Sequence, residues 1–185
     1  MNYSSSPARP EGLNLCMPNQ KKGTLVLEHE RIAAIIERLA HQILENHSEC
    51  KELILVGISG QGVAMRDRIT NILTSISTQS IKTVELKVNK TSPLTDEVVT
   101  DLPLKDMKGK VVILIDDVLN SGKTLVYAMT HLLKADVKIL RTVVLVDRIH
   151  RNYPIKADYV GLSLSTTIQE RVEVEFGEED YAYLV

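Results

Sequence analysis

Residues 111–125 read VVILIDDVLNSGKTL, and this stretch holds the chain's densest set of groups able to do chemistry. Two adjacent carboxylates, Asp116 and Asp117, follow an aliphatic run and precede a small polar turn made of Ser121, Gly122, Lys123 and Thr124. The turn offers successive backbone N–H groups, two hydroxyls and the start of a helix, which together suit one terminal phosphomonoester. The carboxylates can accept hydrogen bonds from vicinal hydroxyls and hold a hydrated Mg²⁺. A phosphate at one end, a diol in the middle and a metal beyond describe a ribose 5-phosphate unit bearing pyrophosphate. Taken only as structure, the same turn is a helix N-cap, which is compatible with phosphate binding.

Two commoner nucleotide motifs are excluded. A P-loop needs Gly-x-x-x-x-Gly-Lys-Ser/Thr, so that the first glycine lets the backbone wrap a phosphate. Counting back from Gly122, that position is Asp117, whose carboxylate would repel the phosphate. Gly57, Gly60 and Gly62 have the spacing Gly-x-x-Gly-x-Gly, not the dinucleotide fingerprint Gly-x-Gly-x-x-Gly.

The elements that must position these groups are legible from hydrophobic period. Ile32, Ile35, Ile36, Leu39, Ile43 and Leu44 recur at three and four, which predicts an amphipathic helix over 28–47. ELILVGI (52–58), KVVILID (110–116), KILRTVVLVD (138–147) and ADYVGL (157–162) read as buried strands, and IKTVELKV (81–88) and RVEVEF (171–176) as alternating ones. Helical patterns follow at 63–73 and 122–134, and a turn at 59–62. Strands alternating with helices predict an α/β fold, a doubly wound and mostly parallel sheet with helices on both faces. Ligands gather at the C-terminal ends of strands in such sheets, where the loops 59–62, 117–124 and 147–154 lie. Residues 89–110 carry polar side chains, two prolines and no period, the mark of a functional flap or an excursion.

Composition bounds the rest. The chain has 185 residues, 44% hydrophobic and 25% charged, with a net charge of −2. That suits one domain and gives no support for charge-driven binding to nucleic acid or membrane. No apolar run approaches the ~20 residues needed to cross a bilayer. Cys16 and Cys50 form no metal or disulfide array and read as reduced thiols of a cytoplasmic protein. Residues 1–22, rich in Ser, Pro, Asn and Lys, read as a flexible N-terminal extension before a domain over 23–185.

VVILIDDVLNSGKT resembles the phosphoribosyl-pyrophosphate (PRPP) signature of the type I phosphoribosyltransferases: four hydrophobics, two acidics, then a small-residue turn ending in Thr. RIAAIIERLAHQILENH, ELILVGI, KGKVVILIDDVL and VVLVDRIHRNYPIKADYVG are similar to the branch of bifunctional pyrimidine operon regulators/uracil phosphoribosyltransferases. The resemblance covers roughly residues 24–176. It implies a small hood and a mobile flap (89–104) added to the sheet, and an enzyme passing ribose 5-phosphate from PRPP to a nucleobase. Uracil is favoured over a purine, with Mg²⁺ as cofactor. Asp116 and Asp117 would bind the ribose hydroxyls and the metal and act as the catalytic pair. Asn120, Ser121, Gly122, Lys123 and Thr124 would hold the PRPP phosphate end. Ser59, Gly60, Gln61 and Gly62 would bind pyrophosphate, and Arg148, Tyr159 and Val160 would form the base site, Tyr159 covering the ring. A homo-oligomer is implied too. The alternatives are an RNA-binding regulator of pyrimidine genes that senses nucleotides, and a PRPP-binding domain without turnover.

The chain departs from the family pattern at several of these positions. Asn120-Ser121 stands where the regulators have an aromatic residue and Thr, and where purine enzymes carry an aspartate base in place of Asn120. Gln61 replaces an arginine, KVNK (87–90) replaces Tyr-Arg-Asp-Asp, and Ile149 replaces a glycine. Lys87 and Lys90 are then the local flap cations, and this reduced positive set implies weak turnover.

Overall fold

The computed structural model describes residues 23–88, 98–149, 151–165 and 170–185. The expected extension 1–22 and the flap stretch 89–97, Lys90 included, lie outside the described residues. In chain order the elements are β1 (Thr24–Leu27), α1 (His29–Asn46), β2 (Glu52–Ile58), α2 (Gln61–Ile76), β3 (Ser80–Lys87) and β4 (Val99–Thr100). A 3-10 turn (Leu104–Met107) leads to β5 (Val111–Leu119), α3 (Lys123–Leu133), β6 (Ile139–Arg148), β7 (Tyr159–Leu164), β8 (Val172–Glu175) and β9 (Tyr181–Leu184).

Six strands form one sheet in the order β4-β3-β2-β5-β6-β7. Every pairing in it is parallel except that of β4 at the edge. The pleat sends successive side chains to opposite faces, and the strands show it. Leu53, Leu55, Ile113 and Ile115 pack with α1 and α2, whereas Ile54, Val56, Val112 and Leu114 pack with Leu125, Ala128 and Leu132 of α3. Burial on both faces is why β2 and β5 read as unbroken aliphatic runs. Helix α1 buries Ile32, Ile35, Ile36, Leu39 and Ile43, each contributing roughly 1.5–3 kcal/mol.

A second sheet, β1-β9-β8, is antiparallel and forms the hood. The alternating stretch expected as one more strand at 171–176 belongs here and not to the main sheet. Val172 and Val174 of β8, Leu27 of β1 and Ala182 of β9 point inward and join the core under α1 and α2. Arg68 of α2 grips Asp180 through Nε at 3.0 Å and through Nη2, and its guanidinium sits 4.7 Å over the Phe176 ring. The hood strands β1 and β9 have no signal in the hydrophobic pattern, because four residues are too few to establish a period.

Two boundaries matter for the site. Strand β5 continues to Leu119, so Asp116 and Asp117 lie inside the strand rather than in the loop after it. Helix α2 begins at Gln61, so half of the expected 59–62 turn is helix. Among the described residues, no helix is long and apolar enough to cross a membrane.

Candidate active site

The C-terminal edge of the parallel sheet holds a cavity of about 970 Å³. One wall comes from β5 and the turn after it: Asp116, Asp117, Val118, Asn120, Ser121 and Thr124. The second comes from the end of β6 and the loop beyond it, through Arg148, Ile149, Arg151 and Asn152, and the hood closes the third with Arg171 and Val172. A narrow space of about 30 Å³ adjoins it, lined by Asp116, Asn120, Ser121, Gly122 and Thr124 among others.

Helix α3 starts at this narrow space. Gly122 at its N-cap has φ +85°, a left-handed conformation suited to glycine, and no side chain caps the helix from that position. The Ser121 hydroxyl accepts the Lys123 N–H at 3.3 Å. The Ser121 carbonyl, on the outer side of the turn, accepts the N–H groups of Asn152 and Tyr153 at 3.1 and 3.2 Å. The helix N-terminus, with its positive dipole end and exposed N–H groups, favours an anion.

Asp116 is 4% exposed and Asp117 half-buried. The Asp116 Oδ1 accepts the backbone N–H of Asp117 at 3.1 Å, which fixes one carboxylate against the strand. Gly62, in the first turn of α2, packs against this strand. A Cβ there would stand 2.9 Å from the Ile115 carbonyl and 3.4 Å from Asp116 Oδ1, so only glycine lets the α2 N-terminus come this close. Two helix N-termini therefore meet the same acidic strand end.

Positive charge faces the carboxylates. Arg148, 5% exposed, donates to the Asn120 side-chain carbonyl. Arg151 holds Asp147 with two hydrogen bonds, from Nε to Oδ1 at 3.2 Å and from Nη2 to Oδ2. Arg171 is exposed at the hood rim, its backbone paired to Val185 in both directions.

Of the residues expected from sequence, Asp116, Asp117, Asn120, Ser121, Thr124 and Arg148 converge on the cavity, and Gly122 on the narrow space. Lys123 opens α3 but lines neither. Ser59, Gly60, Gln61 and Gly62 line neither as well. Gly62 abuts Asp116, and Gln61 is turned to the hood, where its carbonyl accepts the Phe176 N–H at 3.3 Å. Lys87 is exposed at the end of β3.

Tyr159 and Val160, expected at a base site, line neither space. Tyr159 is 7% exposed, and its hydroxyl lies 3.3 Å from Nε2 of His47, at the end of α1. Burial raises its phenol pKa. The Val160 carbonyl accepts from Arg38 of α1 at 3.3 Å. Both sit in the first residues of β7, whereas the cavity lies at the strands' C-terminal ends. Arg171 and Val172 of the hood stand on the cavity wall. The sequence signal for them was an Arg opening the amphipathic strand RVEVEF, with nothing to say which sheet it joins.

A family model for the phosphoribosyl transferase domain matches residues 23–179. The chain belongs to the phosphoribosyltransferase family. The bifunctional protein PyrR of Streptomyces coelicolor is 34% identical over 170 residues, 87% of each chain. The bifunctional protein PyrR of Haemophilus ducreyi is 35% identical over 159 residues, covering 81% of this chain and 88% of its own. Among solved structures, a hypoxanthine phosphoribosyltransferase from Staphylococcus aureus matches with a TM-score of 0.69 and 24% identity, over 84% of this chain and 85% of that one. The hypoxanthine phosphoribosyltransferase of Trypanosoma cruzi matches with a TM-score of 0.69 at 18% identity, over 80% and 84%. These two likenesses establish the phosphoribosyltransferase fold.

Mg²⁺ can be weighed against the donors present. Among the described residues, no group of three or more His, Cys, Asp or Glu side chains could cage a metal. Mg²⁺ is commonly bound by one or two carboxylates together with substrate phosphates and water. The adjacent Asp116 and Asp117 fit that requirement, and they fit a metal that arrives with a phosphorylated substrate in this phosphoribosyltransferase.

Proposed function

We propose that this phosphoribosyltransferase transfers ribose 5-phosphate from PRPP to a nucleobase, uracil before a purine, releasing pyrophosphate. The observation that carries the reading is the acidic strand end beside a phosphate-sized space: Asp116 and Asp117 next to the turn 121–124, on one cavity wall. Asn120 supports uracil over the 6-oxopurines. It stands where a purine enzyme needs a base, and an amide accepting from Arg148 has no useful basicity.

Displacing pyrophosphate from the anomeric carbon builds positive charge on the ribose ring and negative charge on the leaving group. Asp116 and Asp117 would hold the ribose hydroxyls and lie close to the developing positive charge. The turn 121–124 would anchor the 5-phosphate, so that the base nitrogen and the anomeric carbon meet in line. Arg148 and Arg171 would face the anionic side. Asp116 and Asp117 would also hold Mg²⁺, which supplies charge neutralisation for pyrophosphate. The hood would exclude water from a sugar cation that water would destroy.

The test is a product screen with PRPP, Mg²⁺ and each of uracil, hypoxanthine, guanine, xanthine and adenine. UMP formation that is abolished by EDTA is expected, at a rate below that of an enzyme with a full cationic set. Failure to convert any base overturns the catalytic reading and leaves a PRPP-binding domain, which calorimetry with PRPP would identify. Conversion of a purine alone overturns the choice of uracil.

The bifunctional relatives favour a second reading, an RNA-binding regulator of pyrimidine genes that senses nucleotides at the same site. A leader-RNA gel shift enhanced by UMP and lost at high salt is its test. The proposal also includes a cytoplasmic homo-oligomer, for which sedimentation is the measurement.

A further inference from the structure

The Ser121–Gly122 peptide stands between the cavity and the loop beyond β6. Its carbonyl points to that loop, held by the N–H groups of Asn152 and Tyr153 at 3.1 and 3.2 Å. A trans peptide is planar, so its N–H points opposite to its C=O. With the Ser121 carbonyl held outward, the Gly122 N–H is turned away from the loop, toward the narrow space that Gly122 lines. The left-handed Gly122 allows this reversal, and Ile155 and Tyr153 pack directly against it: a Cβ on Gly122 would stand 2.6 Å from Ile155 Cγ2.

What holds the loop in turn is the ion pair at its root. Asp147, 7% exposed at the end of β6, receives both guanidinium contacts of Arg151. The pair spans four residues and immediately precedes the two N–H groups that clasp Ser121. Planar, two-point contact of this kind fixes orientation as well as proximity.

We infer that Arg151 is a positioning residue for the 5-phosphate: through its ion pair with Asp147 it holds the 152–155 segment, which aims the Gly122 N–H into the phosphate space. The inference rests on the proposed phosphoribosyl site. Its distinguishing feature is that Asp147 and Arg151 act together, whereas an arginine that touched the phosphate itself would be freed by losing its carboxylate partner.

The experiment is calorimetric titration of the full chain with ribose 5-phosphate for wild type, Arg151→Ala, Asp147→Asn and the double variant. Thermal melting and PRPP kinetics accompany it. Positioning predicts that each single variant weakens binding by roughly ten- to a hundredfold, the value of one charge-assisted hydrogen bond. The double variant should lose no more than either single one. KM for PRPP should rise in parallel while KM for the base stays within about twofold. Asp147→Asn is nearly isosteric, and its folding is verified by the melt, so it carries the test if Arg151→Ala fails to fold. Unchanged or tighter binding by Asp147→Asn overturns the inference, as does an equal rise in both KM values. Wild type that binds no ribose 5-phosphate overturns the phosphoribosyl reading itself, and the inference with it.

Discussion

Gly122→Ala tests the phosphate turn most directly, because the structure separates its cost into two parts. At φ +85° the alanine is left-handed, which costs roughly 1–2 kcal/mol. Its Cβ would also meet Ile155 Cγ2 at 2.6 Å, forcing that side chain off its rotamer for about 0.5–1.5 kcal/mol more. The total, about 1.5–3.5 kcal/mol, corresponds to a fall in Tm of roughly 3–14 °C for a chain of this length. Gly109→Ala is the internal control. Gly109 also has positive φ, +67°, but a Cβ there meets nothing within 4 Å and lies far from the cavity, at the entry to β5. It should lose only the torsional part, with KM for PRPP unchanged. Gly122→Ala should melt lower than Gly109→Ala and should also raise KM for PRPP, since the alanine pushes the 152–155 segment off the Ser121 carbonyl. Differential scanning calorimetry and initial rates measure both. Equal melting of the two variants would refute the steric argument, and an unchanged KM for Gly122→Ala would refute the link between this turn and the phosphate.

Tyr159→Phe should cost about 1 kcal/mol by removing the hydroxyl contact with His47, and leave KM for the base unchanged; urea denaturation and base kinetics check this. Asp117→Asn, at a half-buried cavity position, should lower kcat/KM by roughly 10²–10³ with little change in Tm; steady-state rates across a Mg²⁺ titration measure it. Burial, followed by the charge of Arg141, lowers the His47 pKa from its ordinary value of 6.5. In the window between that depressed value and 6.5 the unfolded chain binds more proton than the native one, so stability rises with pH there. Its contribution is fully present above about pH 6.5 and is lost as pH falls toward the folded value. Urea midpoints of wild type and His47→Gln between pH 5 and 8 should converge on acidification, and parallel curves would sink the assignment.

Much of the site was legible in one dimension because its parts are neighbours along the chain. Asp116, Asp117, Asn120, Ser121 and Thr124 lie within nine residues, on one strand and the turn after it, so local residue types state their chemistry. The main sheet was legible for a similar reason. Strands buried on both faces must be aliphatic throughout, and α1 must carry a stripe, so burial writes itself into the period. Resemblance to the phosphoribosyltransferases then added the roles, and the family match bears out that recognition.

Tertiary structure decided what no local pattern records. Tyr159 and Arg171 are both polar-tipped residues at strand beginnings, yet one is buried under α1 against His47 and the other stands at the cavity rim. The difference is which sheet their strands join, and that is set by long-range pairing: β7 beside β6, β8 beside β9. Gln61 likewise falls within the stretch expected as a turn, but it opens α2 and its side-chain carbonyl accepts the Phe176 N–H of the hood. Sequence determined that an acidic strand end runs into a small polar turn, and where that stretch lies along the chain. Only packing determined which residues stand opposite it, because a side chain's type is fixed by its codon and its neighbours across space are not.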